Sequence, residues 1–195
     1  MVRRGYDRLA QTRSYNRDQF SREPNLNELS KHLGSGAEIL DVGCGSGVPV
    51  DKFLLEQGHQ VTGIDISAEQ IKLAKANLPK GTFFKMDMTK LNFPLASFDA
   101  VVSFYAIFHI PREEHLALVR KFARMLKPGG YLLVTMGAED WEGTADFHGV
   151  EMFWSHYGRE SNLGIIREAG FQVLTETVDT SAGEKHLVVL AKKSR

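Results

Sequence analysis

Short apolar and β-branched runs alternate with longer helical patterns along this chain of 195 residues, and the alternation limits its fold more than any other feature. Strands are predicted at Glu38 to Val42, Gln60 to Asp65, Thr82 to Met86, Asp99 to Ser103, Tyr131 to Thr135, Phe171 to Val178 and His186 to Ala191. Seven strands separated by helices indicate a doubly wound α/β sheet.

Two helix starts are marked by capping residues. Ser67 and Gln70 form a capping box before one helical pattern, and Pro111 can open another whose first turn holds Glu113 and Glu114. The second helix is expected to stop at the Lys-Pro-Gly-Gly sequence of residues 127–130. That sequence predicts a sharp turn into the fifth strand.

The charge balance and the cysteine content argue against several partners and compartments. With 24 basic and 24 acidic residues, the chain has no net charge to attract nucleic acid or an anionic membrane. No apolar stretch reaches the roughly 20 residues of a membrane span, and the amino terminus lacks the apolar run of a secretory signal. A single cysteine, Cys44, cannot form an internal disulfide. We therefore expect a cytoplasmic protein without a nucleic-acid partner or membrane span.

The first predicted strand runs into a loop with glycines at three alternate positions, Gly43, Gly45 and Gly47. Glycines allow positive φ angles and let a ligand touch the backbone. A plain strand-to-helix turn, the alternative, needs only one glycine. The spacing is G-x-G-x-G, whereas dinucleotide-binding proteins have G-x-G-x-x-G, so a nicotinamide or flavin cofactor is the second choice of ligand.

Acidic residues end the next two predicted strands. Asp65 follows the glycine loop by roughly 20 residues, where a carboxylate can bind a ribose diol in either NAD or an adenosyl cofactor. Asp87 could accept a hydrogen bond from an adenine amino group while Met88 presents its backbone N–H to the ring. The alternatives are that Asp65 caps the following helix and that Asp87 is a solvated loop acid.

The segments LDVGCGSG, GIDIS, KMDMTKLNFP, FDAVVSFYAIFHI and LKPGGYLLV together resemble the successive motifs of class I S-adenosylmethionine-dependent methyltransferases. The resemblance covers residues 37–135. The chain most resembles the small members that act on free small molecules, including those of ubiquinone and menaquinone biosynthesis. Those members have an amino-terminal helical cover that starts with a Tyr-Asp pair, which Tyr6-Asp7 resembles. The resemblance implies a Rossmann-like sheet of order 3-2-1-4-5-7-6, with the last strand antiparallel.

The same resemblance implies that S-adenosylmethionine lies across the carboxyl ends of the first strands. Residues 43–45 would wrap the methionine and ribose portion, Asp65 would bind the ribose hydroxyls, and Asp87 would bind the adenine. Asp41 would orient the loop or reach the methionine amino group through water, and the Ser103 carbonyl would approach that amino group. The implied cofactor-binding residues are Asp41, Gly43, Cys44, Gly45, Asp65, Ile66, Asp87, Met88 and Ser103.

Methyl transfer from a sulfonium needs few catalytic groups, because the methyl is already activated and the enzyme mainly holds a nucleophile in line at about 3 Å. A base helps if the nucleophile is a hydroxyl. His109 is the candidate base, since its ordinary pKa lies near neutrality; the alternative is a structural hydrogen-bonding role. Residues 103–111 lack the Asn/Asp-Pro-Pro-Tyr signature of enzymes that methylate amino groups of DNA or glutamine. They also lack an acid at Ser103, so no metal is expected.

Aromatic residues after the fourth and fifth strands are candidates for binding the methyl acceptor. An aromatic wall suits an apolar or planar molecule and can shield a sulfonium by cation–π contact. The alternative is that these rings only seat residues 136–160 on the sheet. In the cover, Tyr15 and Arg22 are weaker candidates for closing over the cofactor or binding an acidic substrate, and the alternative is that they lie on a solvated face. The predicted acceptor-binding residues are Tyr105, His109, Trp141, Phe153, Trp154 and Tyr157.

The chain is therefore predicted to be one methyltransferase domain, a monomer or homodimer, that methylates a small molecule on an unresolved O, N, S or C atom. Residues 1–34 would form a helical cover and 35–135 the cofactor-binding core. Residues 136–160, which have no sustained period of 2 or 3.6, would be an acceptor-side insertion, and 161–195 a final helix and strand pair. The alternatives are a nicotinamide-dependent oxidoreductase and a cofactor-binding adaptor without turnover.

Overall fold

A computed structural model describes residues 1–11, 22–180 and 185–194 of the protein, so Tyr15 lies outside the described residues. The α-helices are α1 (Val2–Leu9), α2 (Glu23–Ser30), α3 (Val50–Glu56), α4 (Ala68–Asn77), α5 (His115–Met125) and α6 (Arg159–Glu168). The strands are β1 (Glu38–Val42), β2 (Gln60–Asp65), β3 (Thr82–Lys85), β4 (Phe98–Ser103), β5 (Leu126–Gly137), β6 (Trp141–Phe147), β7 (Val150–His156), β8 (Phe171–Asp179) and β9 (His186–Lys193). Short 3-10 helices occupy Met88–Lys90, Ile107–His109 and Arg112–Glu114.

Seven strands form one sheet of order β3-β2-β1-β4-β5-β9-β8. The first five strands pair in parallel, and β9 runs antiparallel to both β5 and β8. Since β8 and β9 are the sixth and seventh predicted strands, the predicted order and its antiparallel last strand are confirmed. The parallel strands end at one side of the sheet, which we call the carboxyl edge.

Helices cover both faces of this sheet, as a doubly wound fold requires. The core on one face includes Phe122 of α5 and Ile166 of α6, and the core on the opposite face includes Leu29 of α2 and Leu54 of α3. All four side chains are fully buried. No helix within the described residues is long and apolar enough to cross a membrane.

Ser67 attaches two helices to the carboxyl edge. Its Oγ accepts a hydrogen bond from Gln70 N at 3.1 Å, which confirms the predicted start of α4. The same hydroxyl donates to Asp7 Oδ1 at 2.6 Å. Through this bond, α1 of the amino-terminal cover is held at the ends of the parallel strands.

Strand β5 begins earlier than predicted. It starts at Leu126, directly after α5, and residues 127–130 lie within the strand instead of forming a turn before it. The register with β4 shifts across this stretch, so the two glycines lie in a bulge. At Gly130 an added Cβ would lie 2.9 Å from the Asp99 carbonyl oxygen, which explains why glycine is needed there.

Residues 136–160, whose sequence has no sustained period of 2 or 3.6, contain regular structure that was not predicted, because β6 and β7 pair as an antiparallel hairpin. His148 and Gly149 connect the strands, both with positive φ, as a two-residue type I′ turn requires. Strand β6 has no buried residue, and β7 buries only Met152 and Ser155. Neither face is buried along its length, so the sequence does not develop the period-2 apolar pattern of an ordinary strand.

Phe122→Ala should lower the free energy of unfolding by about 3–5 kcal/mol, because it removes a fully buried ring and leaves a cavity beside α5. Urea denaturation followed by circular dichroism measures this change. Leu95→Ala is the control, since Leu95 is 65% exposed and its truncation should change stability by less than about 0.5 kcal/mol. Equal losses in the two variants would contradict this description of the core.

Candidate active site

The glycine loop after β1 turns tightly against the segment that follows β4. Gly43 has φ +85°, and an added Cβ would lie 2.3 Å from the Ala106 Cβ, so both backbone conformation and space require glycine there. Gly43 N and Cys44 N both donate to the Ile64 carbonyl oxygen, at 2.8 and 2.9 Å. The loop is therefore anchored to β2 at the carboxyl edge.

Asp65, at the end of β2, holds the glycine loop through its side chain. Its Oδ2 accepts a hydrogen bond from Gly45 N at 2.9 Å, and its Oδ1 accepts one from Ser67 N at 2.8 Å. The residue is 8% exposed. A carboxylate has about four acceptor positions, so these two bonds alone do not exhaust it. The predicted alternative, that Asp65 bonds the start of the next helix, is therefore part of its role.

Asp87 has two roles: it caps a short helix and it lines a cavity. Its Oδ1 accepts hydrogen bonds from Thr89 N at 2.9 Å and from Thr89 Oγ1 at 2.8 Å, which caps the 3-10 helix Met88–Lys90. Asp87 and Met88 nevertheless both line the cavity described next. Asp87, which was predicted to contact an adenine ring, therefore also caps the helix that follows it.

A cavity opens at the carboxyl edge beneath α1, and we call it the carboxyl-edge cavity. It brings together seven residues predicted from the sequence: Gly43, Asp65, Ile66, Asp87, Met88, Tyr105 and His109. It is completed by Val2, Tyr6, Ile64, Met86, Ala106 and Ile110. Tyr6 had a signal in the Tyr-Asp pair of the cover, and four others lie in the segments that carry the family resemblance but were not singled out: Ile64, Met86, Ala106 and Ile110. Val2 had no signal in the sequence.

The other predicted cofactor-binding residues lie beside this cavity and do not line it. Asp41 is 2% exposed at the end of β1. Ser103 is fully buried, and its Oγ donates to the Val42 carbonyl oxygen at 2.8 Å. The Cys44 side chain packs in a small apolar cluster with residues of α4 and β3, and Gly45 meets Asp65 through its backbone N–H.

His109 bridges the cover and the hairpin. Its Nδ1 lies 2.8 Å from the Phe153 carbonyl oxygen on β7, so this nitrogen carries the proton and donates. Its Nε2 then accepts from the Tyr6 hydroxyl of α1 at 2.8 Å. Burial lowers the pKa of His109 to about 4, against the opposing effect of the Phe153 hydrogen bond. The imidazole is therefore neutral at physiological pH, and its pKa is well below the expected near-neutral value.

A second cavity lies between the hairpin and the sheet, and we call it the hairpin cavity. Two predicted acceptor-binding residues, Trp141 and Trp154, line it. The full lining within the described residues is Phe108, Glu139, Asp140, Trp141, Ala145, Asp146, Phe147, Trp154, His156, Lys185 and His186.

Two of the predicted aromatic residues line neither cavity. Phe153 precedes Trp154 on β7, so its side chain points to the other face of the hairpin. Its backbone carbonyl oxygen accepts the hydrogen bond from His109, which lines the carboxyl-edge cavity. Tyr157 lies under Arg112, whose guanidinium carbon is 5.1 Å from the ring centroid. The sequence identified the aromatic content of this segment but not which rings share a face.

Tyr105 is held from both sides. It has φ +53°, a conformation uncommon for residues other than glycine, and its hydroxyl donates to Asp179 Oδ2 at 2.6 Å. The guanidinium of Arg22, a residue 5% exposed, stands 4.9 Å above its ring. Arg22, a weak candidate from the sequence, is therefore buried against the site. In the described part of the chain, no three His, Cys, Asp or Glu side chains could share a metal ion.

Comparison with known proteins gives the family. Residues 39–130 match the family model described as a methyltransferase domain. The 27-O-demethylrifamycin SV methyltransferase of Amycolatopsis mediterranei is 37% identical over 106 residues, 51% of this chain and 38% of that protein. The ubiquinone biosynthesis O-methyltransferase of Bradyrhizobium sp. is 32% identical over 141 residues, 68% of this chain and 52% of that protein. The chain spans about half the length, or less, of these curated relatives.

A crystal structure agrees with these matches. A SAM-dependent methyltransferase of Methanosarcina mazei is similar over 86% of this chain and 97% of its own, with a TM-score of 0.76 and 25% identity. The fold and the matched segment thus define a methyltransferase domain. This domain has the fold of the class I S-adenosylmethionine-dependent methyltransferases, as the resemblance implied, and the matches support that family over a nicotinamide-dependent oxidoreductase.

The low pKa of His109 should make stability depend on pH. The pKa is about 4 in the folded protein against an ordinary value of 6.5, so the unfolded chain takes up the proton first as the pH falls. The contribution of His109 to stability should be constant above about pH 6.5 and decrease between about pH 6.5 and 4, by roughly 2–3 kcal/mol at pH 4.5. His186, whose burial also lowers its pKa to about 4, adds to the loss.

Urea denaturation at about pH 7.5 and 4.5 measures this dependence. His109→Gln removes the titrating group while keeping an amide that can hydrogen-bond, so its stability should fall less with pH than that of the unaltered protein. The difference between the two pH dependences isolates His109 from the other groups. An identical pH dependence in both proteins would contradict the assignment of a buried, neutral imidazole.

Proposed function

We propose that this protein transfers a methyl group from S-adenosylmethionine to a small-molecule acceptor. The observation that carries the proposal is the carboxyl-edge cavity, where the glycine loop after β1 meets the acids that follow β2 and β3, within a domain that matches this family. The accepting atom is an O, N, S or C nucleophile.

The residues of the carboxyl-edge cavity fit an adenosyl cofactor. Gly43 presents backbone without a Cβ, Asp65 presents a carboxylate to a ribose diol, and Asp87 and Met88 present an acid and an apolar side chain to a purine. When bound, S-adenosylmethionine supplies a sulfonium methyl that is already activated for transfer. The main task of the protein is then to hold the acceptor in line with this methyl. Binding both molecules in the reactive orientation lowers the entropy cost of bringing them together.

We propose that His109 acts as a positioning residue. An imidazole with a pKa of about 4 is a weak base, and its Nε2 already accepts a hydrogen bond from Tyr6. A proton leaving an acceptor hydroxyl would therefore reach His109 only through the Tyr6 hydroxyl. The neutral His109 instead orients Tyr6 over the cavity, and we assign the rate enhancement chiefly to proximity.

Two measurements separate this proposal from its alternatives. Isothermal titration with S-adenosylhomocysteine and with NAD distinguishes a methyltransferase from a nicotinamide-dependent enzyme, and binding of NAD alone would refute the proposal. A screen of metabolite extracts with methyl-labelled donor tests for turnover. Label reaching no metabolite would favour the cofactor-binding adaptor, whereas a labelled product identifies the acceptor.

We also propose an organisation of the chain, a cellular location and a set of partners. Residues 1–34, 35–135, 136–160 and 161–195 would serve as cover, cofactor core, acceptor-side insertion and closing helix with strand pair of one domain. We propose that the protein is cytoplasmic and has no nucleic-acid partner. We further propose that its chemistry is metal-free and that it is a monomer or a homodimer. The balanced charge and single cysteine of the chain support the first two.

Asp65→Asn should weaken the binding of S-adenosylhomocysteine about 10- to 100-fold, or roughly 1.5–3 kcal/mol, because charge-assisted hydrogen bonds to the ribose are lost. Isothermal titration measures the dissociation constant. The amide oxygen can keep one of the two backbone N–H bonds that Asp65 now accepts, while the amide NH2 would face the other donor. Circular dichroism and urea denaturation therefore accompany the titration to establish that the variant is folded.

Glu56→Gln is the matched control, since it also removes one carboxylate charge but lies exposed on α3, away from the carboxyl-edge cavity. Its affinity for S-adenosylhomocysteine should equal that of the unaltered protein. Unchanged affinity in a folded Asp65→Asn variant would remove Asp65 from the proposed ribose site.

A further inference from the structure

We infer that the hairpin cavity binds a planar aromatic molecule that carries or gains positive charge, such as a heteroaromatic nitrogen compound or an aromatic amine. The inference rests on the proposed function and deepens it, because it names the chemical class of the methyl acceptor. It is carried by the rings that line the cavity, by the charges at its rim, and by its position beside the carboxyl-edge cavity.

Aromatic rings form the walls of the hairpin cavity. Phe108 lies on the sheet side, and Trp141, Phe147 and Trp154 lie on the hairpin side. Phe147 and Trp154 meet edge to face with their centroids 5.7 Å apart, so the wall presents both ring faces and ring edges. Trp141 is 52% exposed, whereas tryptophan is on average a highly buried residue. Such walls suit a flat ring and, through cation–π contact, a cation.

Among the described residues, three acids and one lysine line the hairpin cavity. Glu139 and Lys185 pair at 2.8 Å and offset one another. Asp140 and Asp146 then remain as two exposed carboxylates at the rim. Burial holds the pKa of His186 at about 4, so this lining residue adds no positive charge at neutral pH. A cation is therefore favoured over an anion of the same shape.

The two cavities adjoin along one segment of the chain, because Phe108 lines the hairpin cavity and its neighbour His109 lines the carboxyl-edge cavity. Tyr105 and His109 line the carboxyl-edge cavity, while Phe108, Trp154 and His186 line the hairpin cavity. Across this partition, the rings of Tyr105 and His186 are 5.0 Å apart and those of His109 and Trp154 are 5.6 Å apart. The two cavities are thus about one ring layer apart, and transfer requires these rings to turn aside so that the acceptor can approach the methyl to about 3 Å.

The position of the negative charge matches the movement of charge in methyl transfer to nitrogen. The nitrogen lone pair forms the new C–N bond as the C–S bond breaks, and the positive charge passes from sulfur to the acceptor. Aromatic faces and carboxylates on the acceptor side stabilise that charge more as the transfer proceeds. They would not favour a phenolate in the same way, because its negative charge would face Asp140 and Asp146.

Three probes that share a flat bicyclic aromatic frame and differ in charge test the inference on the full chain: 1-methylquinolinium, 2-naphthol and 2-naphthoate. Isothermal titration should give a dissociation constant about tenfold lower for the cation than for the anion, with 2-naphthol between them. The chain has two tryptophans, and both line the hairpin cavity. Their two indole N–H signals in a ¹H–¹⁵N spectrum should therefore both shift when 1-methylquinolinium binds.

The double variant Asp140→Asn, Asp146→Asn should reduce the tenfold preference to less than about threefold. An asparagine at position 146 keeps the oxygen that accepts from Gly149 N at 3.1 Å, so the hairpin turn is retained. Glu151→Gln is the control, because Glu151 is an exposed acid of the same hairpin that does not line the cavity. Its preference for the cation should be unchanged.

Equal or tighter binding of 2-naphthoate would overturn the charge class, and unmoved indole signals at saturating 1-methylquinolinium would overturn the site. A parallel titration with S-adenosylhomocysteine separates this inference from the proposed function. Binding of S-adenosylhomocysteine without probe binding defeats the inference alone. A cation preference without binding of S-adenosylhomocysteine supports the chemistry of the hairpin cavity but defeats the proposed cofactor.

Discussion

The Asp65 carboxylate is the contact on which the rest of the carboxyl edge depends. It accepts hydrogen bonds from Gly45 N and Ser67 N, and so joins the loop after β1 to the start of α4 across the ends of two parallel strands. Ser67 extends the connection, since its hydroxyl caps α4 and donates to Asp7 of the cover. One buried acid thus links the glycine loop, a helix start and α1, and these elements border the proposed cofactor site.

His109 performs a similar joining role between the two proposed binding regions. Its two nitrogens bond to Tyr6 of the cover and to the backbone of β7 in the hairpin, so elements distant in sequence meet at one ring. The burial that this arrangement requires also lowers the pKa of His109, which makes the ring a neutral hydrogen-bonding group and a poor base. Packing has therefore decided the chemistry available to this side chain.

Much of the sheet and of the proposed cofactor site could be predicted from the sequence, because those signals are local. Buried parallel strands are continuous apolar runs in the sequence. Gly43 is required because the backbone has a positive φ angle at this turn. The hairpin escaped prediction because its strands are mostly exposed and show no apolar alternation. The bulge in β5 escaped because Lys-Pro-Gly-Gly is equally compatible with a turn, and only pairing with β4 decides between them.

The sequence by itself determined the succession of strands along the chain, the glycine loop and the acids at two strand ends, since these depend on neighbouring residues. The order of the strands within the sheet followed from the family resemblance. The tertiary structure alone decided that Tyr6 meets His109, that Trp154 faces a cavity while Phe153 does not, and that Arg22 is buried on Tyr105. These outcomes depend on the orientation of side chains between elements far apart in the chain. Such contacts arise only when the helices and the hairpin pack on the sheet, and that packing also sets burial and hence pKa.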